Sequence, residues 1–270
     1  MRSVFFISDQ TGITTESLGN ALLSQFEDVE IHKELIPFVD SVSKATNIII
    51  KINARFSQDG ERPIVLTSIV NDDIRNMFKL DYVFHIDFFE SFIPPLEKEL
   101  GKHSMHRMGM SHGIIDENKY YKRIDAIDFA LYNDDGATIK NYEDADVILL
   151  GVSRVGKTPT CLYLAVNYGV KAANYPLAES DLKDRKLPKD LSKFHDKLFG
   201  LTTEVEKLHT IRDNRFPNST YSNMNTCKHD LASAEFIMHH NHIPFLNTNE
   251  KSIEEISIGI MQSLRLKRKF

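Results

Sequence analysis

The fold is decided by one stretch of the chain, Ala145-Asp-Val-Ile-Leu-Leu-Gly-Val-Ser-Arg-Val-Gly-Lys-Thr-Pro-Thr-Cys-Leu-Tyr-Leu-Ala165. Residues 145–150 have the apolar composition of a buried strand, and a helical pattern begins directly after Lys157. Between them, residues 151–158 match the pattern Gly-x-x-x-x-Gly-Lys-Ser/Thr at every fixed position. This strand–loop–helix order predicts a phosphate-binding P-loop.

Each part of this loop has a physical task in holding the phosphates of a nucleotide. The glycines allow a tight turn that brings backbone N–H groups close to phosphate oxygens, and the following helix adds the positive end of its dipole. Lys157 supplies a positive charge to the β and γ positions, and the Thr158 hydroxyl is a ligand for Mg²⁺. The predicted nucleotide-binding residues are Gly151, Val152, Ser153, Arg154, Val155, Gly156, Lys157 and Thr158. The plainer interpretation is a glycine turn at a helix end beside an incidental lysine.

Strand-like and helix-like patterns alternate along most of the chain. The first apolar run, residues 4–7, is followed by side chains at helical spacing, and the same alternation returns after residue 145. Such alternation predicts βαβ units with parallel sheets. Between residues 101 and 113 no period is visible, which indicates a boundary. We therefore expect an α/β fold with an N-terminal parallel-sheet α/β domain, residues 1–105, followed by a P-loop kinase-like α/β domain, residues 106–270.

The composition is that of an ordinary soluble globular protein. Of the 270 residues, 41% are hydrophobic and 26% charged, and the net charge of -5 gives no general reason to expect nucleic-acid binding. Cys161 and Cys227 are far apart and lack zinc-site or disulfide spacing, which fits a reducing cytosol. No apolar stretch has the length of a signal-peptide core or a membrane span. We expect a cytoplasmic protein without nucleic-acid or membrane partners, and the sequence leaves a homodimer open.

Several motifs make the chain resemble one protein family from end to end. They are Ser8-Asp-Gln-Thr-Gly12, the stretch from Arg123 to Gly136 with its Asp-Asp-Gly, residues 151–165, Ala172-Ala-Asn-Tyr-Pro176 and Ser252-Ile-Glu-Glu255. This set is similar to the signature of the bacterial and plant regulatory proteins of pyruvate, phosphate dikinase and phosphoenolpyruvate synthase. The form Gly156-Lys-Thr-Pro-Thr160 resembles the synthase branch more than the dikinase branch.

The resemblance implies a bifunctional enzyme that acts on one threonine of its target. In one direction, a serine/threonine kinase activity uses ADP to phosphorylate phosphoenolpyruvate synthase and inactivates it. In the other direction, a phosphorylase activity uses inorganic phosphate to remove the phosphoryl group, which releases pyrophosphate and restores activity. ADP, inorganic phosphate and Mg²⁺ are therefore the expected small molecules. The synthase is the expected protein partner, with the dikinase as the alternative.

Phosphoryl transfer also needs carboxylates, to hold Mg²⁺ and to accept a hydroxyl proton. No clear apolar strand in the second half ends in an aspartate of the Walker B type, so Asp134 or Asp135 is the better candidate, although Asp-Gly is also an ordinary turn. Arg154, with Lys157, is expected to stabilise charge on the transferring group. His112 is the candidate for a catalytic histidine, in a segment where a structural or solvated role is the plainer interpretation.

Two further features each have a functional and a plain interpretation. Residues 8–12 follow a predicted parallel strand, where they either hold a phosphate or the threonine region of the target, or form a helix N-cap and turn. Arg212 and Arg215 are expected on one helix face, opposite Leu208 and Ile211, either as a clamp on transferring phosphates or as exposed arginines.

Two rival functions follow from the P-loop taken by itself. One is an ATP-dependent kinase of a small molecule, which needs a compact acceptor pocket and no protein substrate. The other is a nucleotide-gated protein that regulates its partner by contact, without chemistry.

Overall fold

The structure is a computed structural model that describes residues 1–105, 117–134 and 139–269. By its internal contacts the chain divides into two units, Met1–Ile114 and Ile115–Phe270. Each unit contains a four-stranded parallel sheet, which confirms the predicted α/β fold class. The domain boundary between residues 105 and 106 stays a prediction.

In the described part of the first unit, strands alternate with helices. The strands are β1 (Arg2–Ser8), β2 (Ile31–Ile36), β3 (Ile64–Ser68) and β4 (Phe84–Asp87), and the helices are α1 (Ile13–Leu23), α2 (Val42–Asp59), α3 (Asp72–Asn76) and α4 (Phe88–Leu100). The order across the sheet is β2-β1-β3-β4, and every pairing is parallel. The chain therefore places its first strand in the interior of the sheet.

Strand β1 is buried on both faces. Phe5 and Ile7 belong to a core cluster that includes Ile52 of α2. Phe6 points into a second cluster, on which α1 packs. The approach of α1 is so close that a Cβ on Gly19 would overlap the Phe6 ring. Because both faces of β1 are buried, its sequence is a continuous apolar run and does not alternate between apolar and polar residues as a half-exposed strand does.

The second unit repeats the alternation with more helices. Its strands are β5 (Val147–Gly151), β6 (Ala172–Pro176), β7 (Leu198–Thr202) and β8 (Phe245–Asn247), and its α-helices are α5 (Glu117–Tyr132), α6 (Lys157–Tyr168), α7 (Glu179–Asp184), α8 (Val205–Arg215), α9 (Met224–His240) and α10 (Ile253–Ser263). Two 3₁₀ helices, Ile139–Asp144 and Lys189–Lys197, precede β5 and β7. The order across the sheet is β6-β5-β7-β8, again parallel throughout.

Both sheets thus have the same strand order, and in both the first strand lies between its successors. After β5 the chain pairs β6 on one side and β7 on the other, so the carboxyl end of β5 is a topological switch point. Open α/β sheets bind ligands at such points, because the connections leave the strand in opposite directions and open a crevice. Residues 151–158 leave the sheet at this point, and residues 8–12 leave the first sheet at the equivalent one.

Three short elements among the described residues of the second unit were not expected from the sequence. Helix α7 and the 3₁₀ helix before β5 have six residues each and the 3₁₀ helix before β7 has nine, and none is long enough to show a helical period. The remaining predicted strands and helices lie within a few residues of the observed elements, including β5 and α6 on either side of the P-loop.

Candidate functional site

The predicted P-loop, residues 151–158, connects the end of β5 to the first turn of α6. Gly151 lies against β7 so closely that a Cβ there would overlap the carbonyl oxygen of Leu201. Val152 and Val155 are buried and fix the loop to the core. Gly156 is the N-cap of α6 with φ 91°, a left-handed conformation that glycine adopts without strain, and no side chain caps the helix. The uncapped N–H groups of the first turn are free to donate hydrogen bonds to an anion.

Lys157 is folded into this loop. Only 4% of its surface is exposed, and its Nζ donates a hydrogen bond to the carbonyl oxygen of Val152 at 2.7 Å. The side chain therefore curls back along the loop, with its charge at the place where the glycine turn would receive phosphate oxygens.

A hydrogen-bonded cluster joins the start of α6 to Asp134, the second residue after α5. The Thr158 hydroxyl donates to Oδ1 of Asp134 at 2.9 Å. The Nδ2 of Asn174 donates to the same carboxylate oxygen at 2.6 Å and to the Thr158 hydroxyl at 3.1 Å. Asn174 lies on β6 and is 2% exposed. The cluster holds a carboxylate and a hydroxyl oxygen, both ligands that Mg²⁺ prefers, side by side at the P-loop.

Asp134 thus lies where the sequence argument expected a carboxylate. The described strands of the second unit end in Gly151, Pro176, Thr202 and Asn247, so none of them supplies a terminal aspartate. Asp134 comes instead from the residues that follow α5, a helix that packs against α6. Its role as a metal ligand stays a prediction. Asn174 is part of the family motif at residues 172–176, but the sequence assigned it no chemical role, because an asparagine within a strand belongs to no P-loop motif.

Arg154 is the one residue of the loop that has both a Cβ and a positive φ, at 80°. This left-handed conformation is unfavourable for a residue with a Cβ and is held here by the surrounding structure. Its Nε is buried and has no hydrogen-bond partner among the described residues. A buried donor without a partner is costly, so Arg154 has hydrogen-bonding capacity available for an anion.

Arg212 corrects the sequence-based expectation. We expected it on one helix face with Arg215, opposite Val205, Leu208 and Ile211, as a phosphate clamp or as an exposed arginine. In the structure Arg212 is 1% exposed and Ile211 is 36% exposed, whereas Arg215 is exposed. Arg212 is turned inward because it forms an ion pair with Asp230 of α9, with 2.8 Å between Nη1 and Oδ2. A buried arginine is tolerated only with such a partner.

The other sequence candidates are distributed as follows. Asp135 and His112 lie outside the described residues and stay predictions. His103, from the same aperiodic segment as His112, is described, and its side chain is 99% exposed. Cys161 is 1% exposed, and burial raises the pKa of its thiol, which favours a packing role.

Residues 8–12 form a buried polar cluster with the end of β3. Ser68 donates a hydrogen bond to the Ser8 hydroxyl at 3.1 Å and also contacts Thr15. Asp9 is 4% exposed and accepts a hydrogen bond from the Val70 amide at 2.7 Å. Burial raises the pKa of Asp9, although the Val70 hydrogen bond opposes the shift. These contacts tie the loop to β3, which favours the structural interpretation of Asp9.

Comparison with known proteins agrees with this arrangement of loop and fold. The sequence profile of the kinase/pyrophosphorylase family matches residues 4–261. The chain belongs to the kinase/pyrophosphorylase family. A protein of Marinobacter nauticus is 49% identical over 267 residues, which cover 99% of this chain and 98% of that protein. A protein of Laribacter hongkongensis is 48% identical over 270 residues, which cover 100% and 98%. Both carry the name "Putative phosphoenolpyruvate synthase regulatory protein".

Membership of the kinase/pyrophosphorylase family implies phosphotransfer chemistry in general, and the relatives carry the name of regulatory proteins of phosphoenolpyruvate synthase. A relative from Hahella chejuensis, 45% identical over 267 residues, carries the same name. Within the part of the chain that the structure describes, no helix is long and apolar enough to cross a membrane. Over the same residues, no group of three or more His, Cys, Asp or Glu side chains is arranged to hold a metal ion.

Proposed function

We propose that this kinase/pyrophosphorylase family member transfers the β-phosphoryl group of ADP to a threonine of phosphoenolpyruvate synthase, and removes it again with inorganic phosphate. The observation that carries the proposal is the cluster of Thr158, Asp134 and Asn174 at the start of α6. It combines the P-loop with a carboxylate in a chain whose relatives carry the name of synthase regulators.

In the kinase direction, a bond forms between the threonine Oγ and the β-phosphorus of ADP. The bond from that phosphorus to the oxygen bridging the α- and β-phosphorus breaks, AMP leaves, and the hydroxyl proton passes to a base. In the reverse direction, an oxygen of inorganic phosphate bonds to the phosphorus of phosphothreonine. The Oγ–P bond breaks, the threonine oxygen takes up a proton, and pyrophosphate leaves.

The residues of the P-loop have distinct roles in this chemistry. The loop amides and Lys157 bind the diphosphate, and Lys157 stabilises the charge that develops on the transferring group. Thr158 and Asp134 present oxygen ligands for Mg²⁺, which neutralises phosphate charge when it is bound. Arg154 donates to the transferring phosphoryl group. Asp135 is retained as a candidate for the base that accepts the hydroxyl proton.

The proposal distinguishes this protein from three alternatives. The same chemistry on pyruvate, phosphate dikinase differs only in the protein substrate, and the printed names of the relatives favour the synthase. An ATP-dependent small-molecule kinase requires turnover without a protein. A nucleotide-gated regulator requires partner binding that depends on Lys157 while no phosphate ever appears on the partner.

One experiment separates these alternatives. The protein is incubated with [β-³²P]ADP and purified phosphoenolpyruvate synthase, and the label on the synthase is measured. We expect the wild type to label the synthase. Lys157→Ala should lower the labelling rate by about 100-fold or more, as when a phosphate-stabilising donor is removed. Lys186→Ala, which removes an exposed lysine of the same unit, is the matched control and should label normally. Transfer only from ATP to a small molecule, or no label with any nucleotide, would overturn the proposal.

A further inference from the structure

A cavity of about 720 Å³ lies directly beside the P-loop. Val152 and Ser153 of the loop form part of its wall. The rest comes from Leu177 directly after β6, from helices α7, α8 and α9, and from the connection between α8 and α9. An occupant of this cavity would therefore lie next to phosphates held by the loop. The volume is within the range of about 300–1,000 Å³ that ligand sites occupy, and it is far larger than inorganic phosphate needs.

Arg212 is a wall residue of this cavity and is only partly satisfied by the protein. Its Nη1 donates to the Tyr221 carbonyl oxygen at 3.1 Å and to Asp230 at 2.8 Å. The Tyr221 ring lies under the guanidinium, with 4.2 Å from the carbon of the guanidinium to the ring centroid. The Nε is buried and has no hydrogen-bond partner among the described residues. The guanidinium is therefore held rigidly and still has an unused donor.

The side chains around the cavity can bind an anion attached to something larger. Lys183 and His229 line it in addition to Arg212. Of the two carboxylates in the lining, Asp230 is already paired with Arg212, and Glu179 is exposed to solvent. Arginine held in a fixed orientation is the usual partner of a phosphoryl group, because its donors match the phosphate oxygens. The other walls offer what a peptide needs, namely the hydroxyls and amide of Ser153, Thr220, Asn225 and Thr226 and the apolar side chains of Leu177 and Leu182.

We propose that this cavity is the acceptor pocket: it takes the threonine-bearing segment of the protein substrate and holds the phosphorylated threonine beside Arg212 in the phosphate-dependent direction. The inference rests on the proposed function and assigns its protein-substrate site. Inorganic phosphate, the other source of a phosphoryl anion, is an alternative occupant that the test separates.

The test uses the whole protein and synthase that the wild type has labelled with ³²P. Pyrophosphate release is measured at varied concentrations of labelled synthase and, separately, of inorganic phosphate. We expect Arg212→Lys to raise the KM for phosphorylated synthase about tenfold or more, because lysine keeps the charge and loses the planar fork. The KM for inorganic phosphate and the Kd for ADP should stay within about twofold of wild type, because neither ligand occupies the pocket.

Two further variants keep the test decisive if Arg212→Lys does not fold. Lys183→Met changes an exposed residue at the cavity and should raise the same KM, whereas Lys186→Met, exposed and outside the cavity, should not. Arg215→Lys, on the exposed side of α8, is the control for Arg212→Lys.

The outcomes distinguish the pocket from the function on which it rests. Folded variants with an unchanged KM for phosphorylated synthase overturn the pocket, and so does a rise in the KM for inorganic phosphate instead. If the wild type never labels the synthase, the proposed function fails and the pocket fails with it. Labelling by the wild type with no effect of either cavity variant overturns the pocket alone.

Discussion

At the scale of single residues, the sequence predicted the parts of the site that a motif specifies. Lys157 and Thr158 follow from the glycine pattern, and the need for a carboxylate pointed to Asp134 or Asp135. Oδ1 of Asp134 lies 2.9 Å from the Thr158 hydroxyl oxygen. Asn174 was missed, because its role depends on β6 lying next to β5, which is a long-range pairing. Arg212 was placed on the wrong side of its helix, because hydrophobic spacing gives no sign that Asp230 balances a buried charge.

Asp134→Asn should separate the charge of this side chain from its hydrogen bonds. Asparagine keeps an oxygen that accepts from the Thr158 hydroxyl, so the cluster stays together, but the negative charge that favours Mg²⁺ is lost. We expect the Mg²⁺ concentration for half-maximal phosphotransfer to rise at least about tenfold. The measurement is a Mg²⁺ titration of synthase labelling.

Asp128→Asn provides the control for this variant. Asp128 is an exposed carboxylate on α5, six residues before Asp134, and it is outside the cluster. Its replacement should leave the Mg²⁺ titration unchanged. An unchanged titration for Asp134→Asn would show that this aspartate is no metal ligand.

At the scale of secondary-structure elements, alternating patterns predicted the parallel α/β architecture, and flanking patterns located β5 and α6. The order of the strands was not predictable, because it depends on contacts between residues far apart in the sequence. Helix α7 illustrates the other limit. Three of its six residues line the cavity, yet six residues are too few for a periodic signal, so the sequence did not predict this part of the cavity wall.

The contact between β7 and α9 depends on the absence of a side chain at Gly200. A Cβ there would overlap the sulfur of Met238 and lie 2.6 Å from the Cβ of Phe245 on β8. We expect Gly200→Ala to lower the free energy of unfolding by about 1–3 kcal/mol through overpacking. The double variant with Met238→Ala should lose less unfolding free energy than the two single variants lose together, because the truncated Met238 side chain makes room for the new methyl group.

Urea unfolding followed by circular dichroism measures this coupling. Met224→Ala is the control partner, because Met224 is on the same helix and 40% exposed, so its effect should add to that of Gly200→Ala. Additive effects for the Gly200 and Met238 pair would contradict the packing described for β7 and α9.

Strand β4 contains a half-buried histidine, His85, which we expect to make the first unit sensitive to acid. The His85 ring lies 2.9 Å from the Thr67 hydroxyl, and burial lowers the pKa of His85 below its usual 6.5 because the charged ring is desolvated. Below pH 6.5 the unfolded chain therefore binds a proton that the folded chain does not, and stability is lost as the pH falls through that value. His85→Gln should remove this part of the pH dependence.

The measurement compares urea unfolding at about pH 7.5 and pH 5.5, on either side of the ordinary histidine pKa. From pH 7.5 to pH 5.5, the free energy of unfolding should fall further for the wild type than for His85→Gln. His103→Gln is the control, because the His103 side chain is 99% exposed, and this variant should behave like wild type. Equal losses for wild type and His85→Gln would show that the ring titrates normally.

At the scale of the whole molecule, two loops occupy the same topological position. Residues 8–12 follow the inner strand of the first sheet, and residues 151–158 follow the inner strand of the second. Both are followed by a helix whose N-cap is a left-handed glycine, Gly12 with φ 76° and Gly156 with φ 91°. Topology therefore does not distinguish the two loops as nucleotide sites, and we expect the lysine and threonine after Gly156 to make the second loop the nucleotide-binding one.

Amide hydrogen exchange can locate the nucleotide. With Mg²⁺ and ADP at about 100 times its Kd, binding adds about 2.7 kcal/mol to the stability of the loop that it holds. We expect exchange to slow in residues 151–158 and to change little in residues 8–12. In Lys157→Ala the same ADP concentration should protect neither loop. Stronger protection of residues 8–12 than of residues 151–158 would place the nucleotide in the first unit.

The ring of Tyr221 under the Arg212 guanidinium offers an optical signal as well as a structural contact. The chain contains no tryptophan, so Tyr221→Trp would introduce its sole indole at the wall of the cavity. Indole is the best aromatic partner for a cation, so the stacking on Arg212 should survive the change. The emission of that single fluorophore would then report each arrival and departure of substrate in real time, without waiting for any phosphate to be transferred.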